Sequence, residues 1–222
     1  MFSIDVVTNK INLVKGFLRS RVHSLLSEKT VHPLFVHFEC TFRCNMKCVF
    51  CNIWRKNVFE TEASTRDIEQ KLAESWNLGC SIISFTGGEP LLRNDIGKLL
   101  KFSSKQIGMF TGLVTNGILL DKRIDDLSRY TDALAVSFDV NNKQVFNRTR
   151  GVDAFEKVKK NIQLARRLGV EIDLLSVITK DTYEYLDDTI EFAKSLELPI
   201  HFSAVDNVPR ESVNEIDAKE MK

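Results

Sequence analysis

The sequence predicts an α/β fold built on six parallel strands, each followed by a helix or a helix start. Three observations carry this expectation. Short apolar runs recur along the chain at lengths suited to buried strands. Amphipathic stretches of helical period lie between them, several opened by a capping residue. The connections are short, and buried strands alternating with helices pair in parallel through right-handed crossovers. An open doubly wound sheet and a curved barrel both satisfy this pattern.

Ahead of the first strand, residues 9–26 read as a basic amphipathic helix. Ile11, Val14, Leu18, Val22 and Leu25 repeat at helical spacing, and Lys10, Lys15, Arg19 and Arg21 supply positive charge. Such a helix packs its stripe on its own domain, or meets a membrane surface or an acidic partner. Residues 34–40 read as strand one, and Ser64 or Thr65 caps a helix to about residue 78. Strand two covers 81–86, and Asn94 caps a helix to about residue 106. Strand three covers 109–114, and Asp121 opens a helix. Strand four covers 133–138, and Asp153 caps a helix ending at Gly169, a residue type favoured just past a helix end. Strand five covers 170–178, Asp181 starts the next helix, and strand six covers 200–205. Beyond it, Ser212 and Glu215 have capping-box spacing, with only 216–222 left to form that helix. The expected organisation is an N-terminal amphipathic arm over 1–31, a core over 32–206 and a short tail over 207–222. The tail has the look of a truncation, or of a barrel closed by another chain.

Lys and Arg number 31 against 30 Asp and Glu, so whole-chain charge points to no nucleic-acid partner. No apolar run approaches the roughly 20 residues that span a bilayer. No apolar N-terminal stretch with a small-residue cleavage site is present, so a cytoplasmic location is expected. Four of the five cysteines fall between residues 40 and 51. A disulfide framework spreads its cysteines across a fold, whereas a tight cluster points to metal.

The segment Cys40-Thr41-Phe42-Arg43-Cys44-Asn45-Met46-Lys47-Cys48-Val49-Phe50-Cys51 follows strand one. Parallel β/α folds place their chemistry there, beyond the carboxyl ends of strands. Thiolates are soft ligands, suited to zinc, Cu(I) or iron–sulfur clusters. Three cysteines on a cubane leave one iron without a protein ligand, the open position a metal centre uses to bind a substrate or cofactor. The competing reading is a zinc site with Cys40 as fourth ligand. Strand two ends in Thr86-Gly87-Gly88-Glu89-Pro90. The glycines permit positive φ and close approach to a ligand, and the Glu89 carboxylate suits an ammonium group.

Cys44-x3-Cys48-x-Phe50-Cys51 resembles the radical S-adenosylmethionine (radical SAM) signature, C-x3-C-x-aromatic-C, and the glycine–glutamate turn is similar to that family's GGE motif. The resemblance covers about residues 34–205. It implies a partial (β/α)6 TIM-like barrel with parallel strands. It implies a [4Fe–4S] cluster on Cys44, Cys48 and Cys51, with S-adenosyl-L-methionine (SAM) as second cofactor. The same resemblance distributes the SAM contacts. Phe50 belongs to the cysteine motif, Gly87, Gly88 and Glu89 serve the methionine amine, and Thr115 and Asn116 lie in the Thr-Asn-Gly turn after strand three. Ser137 and Asp139 fall at the ribose, Arg150 at the carboxylate and Ile178 at the adenine. Many members carry a glycine-rich motif on strand five, of which only Ile178 is matched here. Nothing after Val205 contains cysteine, so no auxiliary cluster of the SPASM type is expected. The activity implied is reductive cleavage of SAM followed by hydrogen-atom abstraction from a small-molecule, peptide or lipid substrate. An electron donor such as flavodoxin or ferredoxin would feed it. The alternatives are a zinc-binding structural module, or an iron–sulfur and SAM-binding protein without turnover.

Overall fold

The computed structural model describes residues 14, 15, 18, 21, 22, 25, 33–56 and 62–204. Six strands form one sheet: β1 Phe35–Thr41, β2 Ile82–Gly87, β3 Phe110–Thr115, β4 Ala133–Ser137, β5 Asp173–Ile178 and β6 Ile200–Ala204. They lie in sequence order, and every neighbouring pair is parallel. A doubly wound sheet reverses its strand order at a switch point. Here the order never reverses, which is barrel winding. Among the described residues β1 and β6 do not pair with each other, so the barrel is partial.

Strand side chains alternate between two faces. Ile83, Phe85, Leu113, Leu134, Val136 and Leu174 are at most 3% exposed and make the core beneath the helices. Ser84, Gly112, Ala133, Ala135 and Asp173, in register across β2 to β5, line a cavity of about 210 Å³. A closed barrel fills its interior with layers of bulky side chains. The small residues here leave the inner face open.

The helices are α1 Thr65–Asn77, α2 Ile96–Lys101, α3 Leu120–Tyr130, α4 Lys143–Arg150, α5 Phe155–Arg167 and α6 Leu186–Ser195. Ser64 caps α1 in a reciprocal box with Asp67. Other starts differ from expectation. Asp95, not Asn94, precedes α2, and its carboxylate is occupied by Arg93 and Thr65. Ala154, not Asp153, precedes α5, and the N–H groups of Ala154 and Phe155 donate to the side-chain oxygen of Asn147. Helix α4 was not expected at all. It opens at Asn142, whose side chain accepts from the N–H groups of Gln144 and Val145, and ends at Gly151 with φ 65°. Strand β5 begins at Asp173 rather than 170, and α6 follows a 3-10 turn at Tyr183–Tyr185.

Val14, Lys15, Leu18, Arg21, Val22 and Leu25 are helical, as the N-terminal periodicity predicts. Val14, Leu18, Val22 and Leu25 are 53–84% exposed, so their stripe is not packed on the barrel. The rest of the expected arm and the tail at 207–222 fall outside the described residues. Among the described residues no helix is long and apolar enough to cross a membrane.

Candidate metal and cofactor site

The cysteine loop leaves the end of β1 and docks on two neighbours. On one side the N–H of Gly88 donates to the carbonyl of Thr41, and that of Glu89 to the carbonyl of Arg43, both at 2.7 Å. A Cβ at Gly87 would lie 2.3 Å from the Thr41 oxygen, and one at Gly88 2.1 Å from the Arg43 oxygen. The two glycines are therefore needed for contact between backbones. What they approach closely is the cysteine loop itself. On the other side the N–H groups of Lys47 and Val49 donate to the carbonyls of Arg150 and Thr149 at 3.0 and 2.9 Å. Carbonyls at a helix end lack partners within the helix, and here the loop satisfies those of α4. The Trp54 indole N–H donates to the Cys48 carbonyl at 3.2 Å.

Cys48 is buried, and Cys44 and Cys51 are half-buried. Burial pushes the Cys44 and Cys48 thiols up, and the Arg150 guanidinium works against that at Cys48. The Cys48 and Cys51 sulfurs add to the rise at Cys44, and the Cys51 sulfur adds to that at Cys48. Cys40, the fourth zinc ligand considered above, is buried on β1, and burial pushes its thiol up to about 12. Three soft thiols on one loop, without a fourth protein ligand, fit a cluster with one open iron.

Glu89 is fully buried. One carboxylate oxygen accepts from the Thr115 hydroxyl at 2.8 Å and the Leu91 N–H at 3.0 Å, and the other from the Asn116 N–H at 2.7 Å. Burial pushes this carboxyl up, and those donors work against it. The Asn116 side chain donates to the Asn45 side-chain oxygen at 2.7 Å and lies 3.9 Å from Cys44 Sγ. Glu89, Thr115 and Asn116 thus come together beneath the loop.

At the far side, Asp139 and Arg150 form a bidentate pair with both contacts at 2.6 Å. The guanidinium lies 5.4 Å from the centre of the Phe50 ring. Ser137 and Ile178 are half-buried at the ends of β4 and β5. The candidate SAM contacts on the sheet therefore fall at or just beyond the carboxyl ends of the strands, with Phe50 in the cysteine loop and Arg150 at the end of α4.

A second polar group was not foreseen. The Arg43 guanidinium binds the Glu62 carboxylate at 2.9 and 3.1 Å, and the Thr41 hydroxyl donates to the same carboxylate. Arg93, 5% exposed, donates to the Cys40 carbonyl at 2.9 Å, to the Ala63 carbonyl at 3.2 Å and to both oxygens of Asp95. This clamp anchors the root of the cysteine loop. Sequence offers one partial signal for it, the i,i+2 pair of opposite charges at Arg93 and Asp95.

A thiol-bearing loop at the carboxyl end of a partial parallel barrel defines a metal- and cofactor-dependent barrel protein. A family model described as the Radical SAM superfamily matches residues 38–193. GTP 3',8-cyclase of Synechocystis sp. is 30% identical over 166 residues, covering 73% of this chain and 51% of the cyclase. AdoMet-dependent heme synthase of Methanosarcina barkeri is 29% identical over 168 residues, covering 74% of this chain and 48% of the synthase. Among solved structures, Streptococcus suis SuiB bound to S-adenosylmethionine superposes with a TM-score of 0.71 at 19% identity. That match covers 97% of this chain and 53% of SuiB, and a second SuiB structure holds its precursor peptide SuiA. The chain belongs to the radical SAM superfamily. The cofactors of that family are SAM and a [4Fe–4S] cluster. The chain spans about half the length of the curated relatives it matches.

Proposed function

We propose that this chain is a radical SAM enzyme that holds a [4Fe–4S] cluster on Cys44, Cys48 and Cys51 and cleaves SAM reductively. The observation that carries the reading is the docking of the three-thiol loop between the Gly87-Gly88 turn and the end of α4. The bound cofactors would supply one-electron chemistry that generates a carbon radical able to abstract a hydrogen atom from substrate. The chain's own part is to bind, orient and exclude water. Gly87, Gly88 and Glu89 hold the cysteine loop at a fixed distance from β2 and β3, and form the edge facing the methionine amine. Thr115 and Asn116 fix that edge from below. Phe50 shields the loop, Ser137 and Asp139 stand at the ribose side with Arg150 beside them, and Ile178 offers an apolar contact for adenine.

Substrate in this reading lies at the carboxyl ends of the strands, beside the cysteine loop. Relatives and neighbours named for a nucleotide cyclase, a heme synthase and a peptide complex support a substrate drawn from small molecules or peptides. A flavodoxin- or ferredoxin-like protein is the electron donor in this reading. The exposed stripe of Val14, Leu18, Val22 and Leu25, flanked by Lys15 and Arg21, suits an anionic membrane surface. The experiment is anaerobic incubation of the iron- and sulfide-loaded chain with SAM and a chemical reductant. Formation of 5′-deoxyadenosine and methionine supports the enzyme. A loaded chain that binds SAM and leaves it intact is a binding protein instead.

A further inference from the structure

We propose that Arg150 sets the redox poise of the metal centre by donating a hydrogen bond to the sulfur of Cys48. This inference rests on the ligand assignment just given and adds a role for a residue whose motif points only to the SAM carboxylate.

The geometry commits the guanidinium in advance. Its Nε donates to Asp139 Oδ2 and its Nη2 to Asp139 Oδ1, both at 2.6 Å. That edge is the fork which matches a carboxylate bidentately, and here a protein carboxylate already fills it. Nη1 is left, and it lies 3.7 Å from Cys48 Sγ. Asp139 is itself fixed, since one of its oxygens accepts from the Val177 N–H at 3.0 Å and its backbone carbonyl accepts from the Ser176 hydroxyl at 2.9 Å. Arg150 is 5% exposed and Asp139 fully buried, so water competes with neither contact. The Arg150 carbonyl also accepts from Lys47 in the loop, which ties backbone and side chain of one residue to the cysteine segment.

The electrostatic consequence has a definite sign. Asp139 cancels the net charge of the guanidinium, and what remains is a buried dipole with its positive end against Cys48. An N–H donor at a ligating sulfur withdraws electron density and favours the reduced cluster, and a low-dielectric surround strengthens the effect. Arg150 therefore raises the midpoint potential. Asn116, 3.9 Å from Cys44 Sγ, contributes a weaker contact of the same sign.

The test is a redox titration of the cluster followed by EPR in the absence of SAM, using the full chain loaded anaerobically with iron and sulfide. The double variant Asp139→Asn with Arg150→Met keeps the pair neutral and removes the donor. Its reduction equilibrium constant should fall at least about tenfold, which is about 59 mV for one electron. Arg150→Lys should fall between it and the wild type. Should the variants fail to retain iron, wild-type protein labelled with 15N-arginine answers the question by pulsed EPR. A nitrogen coupling to the reduced cluster that disappears in the unlabelled control supports the contact. Unchanged potentials with weakened SAM binding, or no arginine nitrogen coupling, overturn the inference and leave the cofactor assignment standing. A wild-type chain that takes up no cluster overturns the assignment itself.

Discussion

The carboxylate of Glu89 and the backbone N–H of Asn116 meet at 2.7 Å across 27 residues of sequence. The contact joins the end of β2 to the end of β3. Asn116 passes the connection on through its side chain to Asn45 in the cysteine loop at 2.7 Å. Two strand ends and the loop are therefore held by one buried carboxylate and the residue it fixes.

Glu89→Gln tests that linkage. An amide nitrogen would face one of the donors now satisfied by carboxylate oxygen, leaving a buried N–H or O–H without an acceptor. The cost is about 1–3 kcal/mol, and each kcal/mol lowers the melting temperature by about 2–4 °C in a chain of this size. SAM affinity should weaken about ten- to a hundredfold, given about 1.5–3 kcal/mol for a charged hydrogen bond, while bound iron stays unchanged. Thermal unfolding, iron analysis and calorimetric SAM titration check these together. An unchanged melting temperature would show that the buried contacts contribute nothing.

Gly88→Ala should be more damaging than an ordinary surface change. Its Cβ would lie 2.1 Å from the backbone oxygen of Arg43, so the cysteine loop must shift. Iron and sulfide per chain should drop sharply while the far side of the barrel stays folded. Far-UV circular dichroism and metal analysis separate those outcomes. Full iron content in the variant would mean that the loop does not need the turn.

The sheet was legible in the sequence because Ile83, Phe85, Leu113, Leu134, Val136 and Leu174 sit in short apolar runs with no other use than a core. Helix α4 was not, because Val145 and Phe146 are its only large apolar residues and an eight-residue polar helix lacks a readable stripe. Its signals were Asn142 at the start and Gly151 just past the end. The cysteine motif and the glycine turn were legible as motifs. Their mutual contact was not, nor was the Asp139–Arg150 pair, because the first depends on how β1 and β2 pair and the second on how β4 and α4 pack, not on local spacing. The Arg43–Glu62–Arg93–Asp95 clamp joins segments far apart in sequence and follows from the fold alone.

Acid should loosen the root of the loop. Burial pushes Asp95 up, but hydrogen bonds from Arg93 and Thr65 outweigh it and hold the carboxyl below the usual range. At Glu62 the balance falls the same way, with Arg43 and Thr41 against burial. A carboxyl whose folded pKa is depressed stabilises the fold above its unfolded value, about 3.9 for Asp, and that contribution is lost as pH falls through the folded value. Asp95→Asn should therefore melt below wild type at pH 7, and the gap should close as pH drops below about 4. A gap of constant size down to pH 3 would contradict the assignment.

The exposed stripe at Val14, Leu18, Val22 and Leu25 should bind lipid through charge as well as apolar contact. The chain should sediment with anionic vesicles and much less with neutral ones, and salt should weaken the binding. Leu18→Asp with Val22→Asp should abolish it. Equal partition to both vesicle types would remove the electrostatic idea.

The central claim is that Cys44, Cys48 and Cys51 hold a [4Fe–4S] cluster with an iron open to SAM. EPR of the anaerobically loaded, reduced chain tests it most directly, with and without SAM. The account predicts a [4Fe–4S]+ signal whose g-values shift when SAM is added. The signal should vanish on replacing any of the three cysteines by Ala and persist in Cys40→Ala. A signal indifferent to SAM, or one lost in Cys40→Ala as completely as in Cys44→Ala, would contradict it.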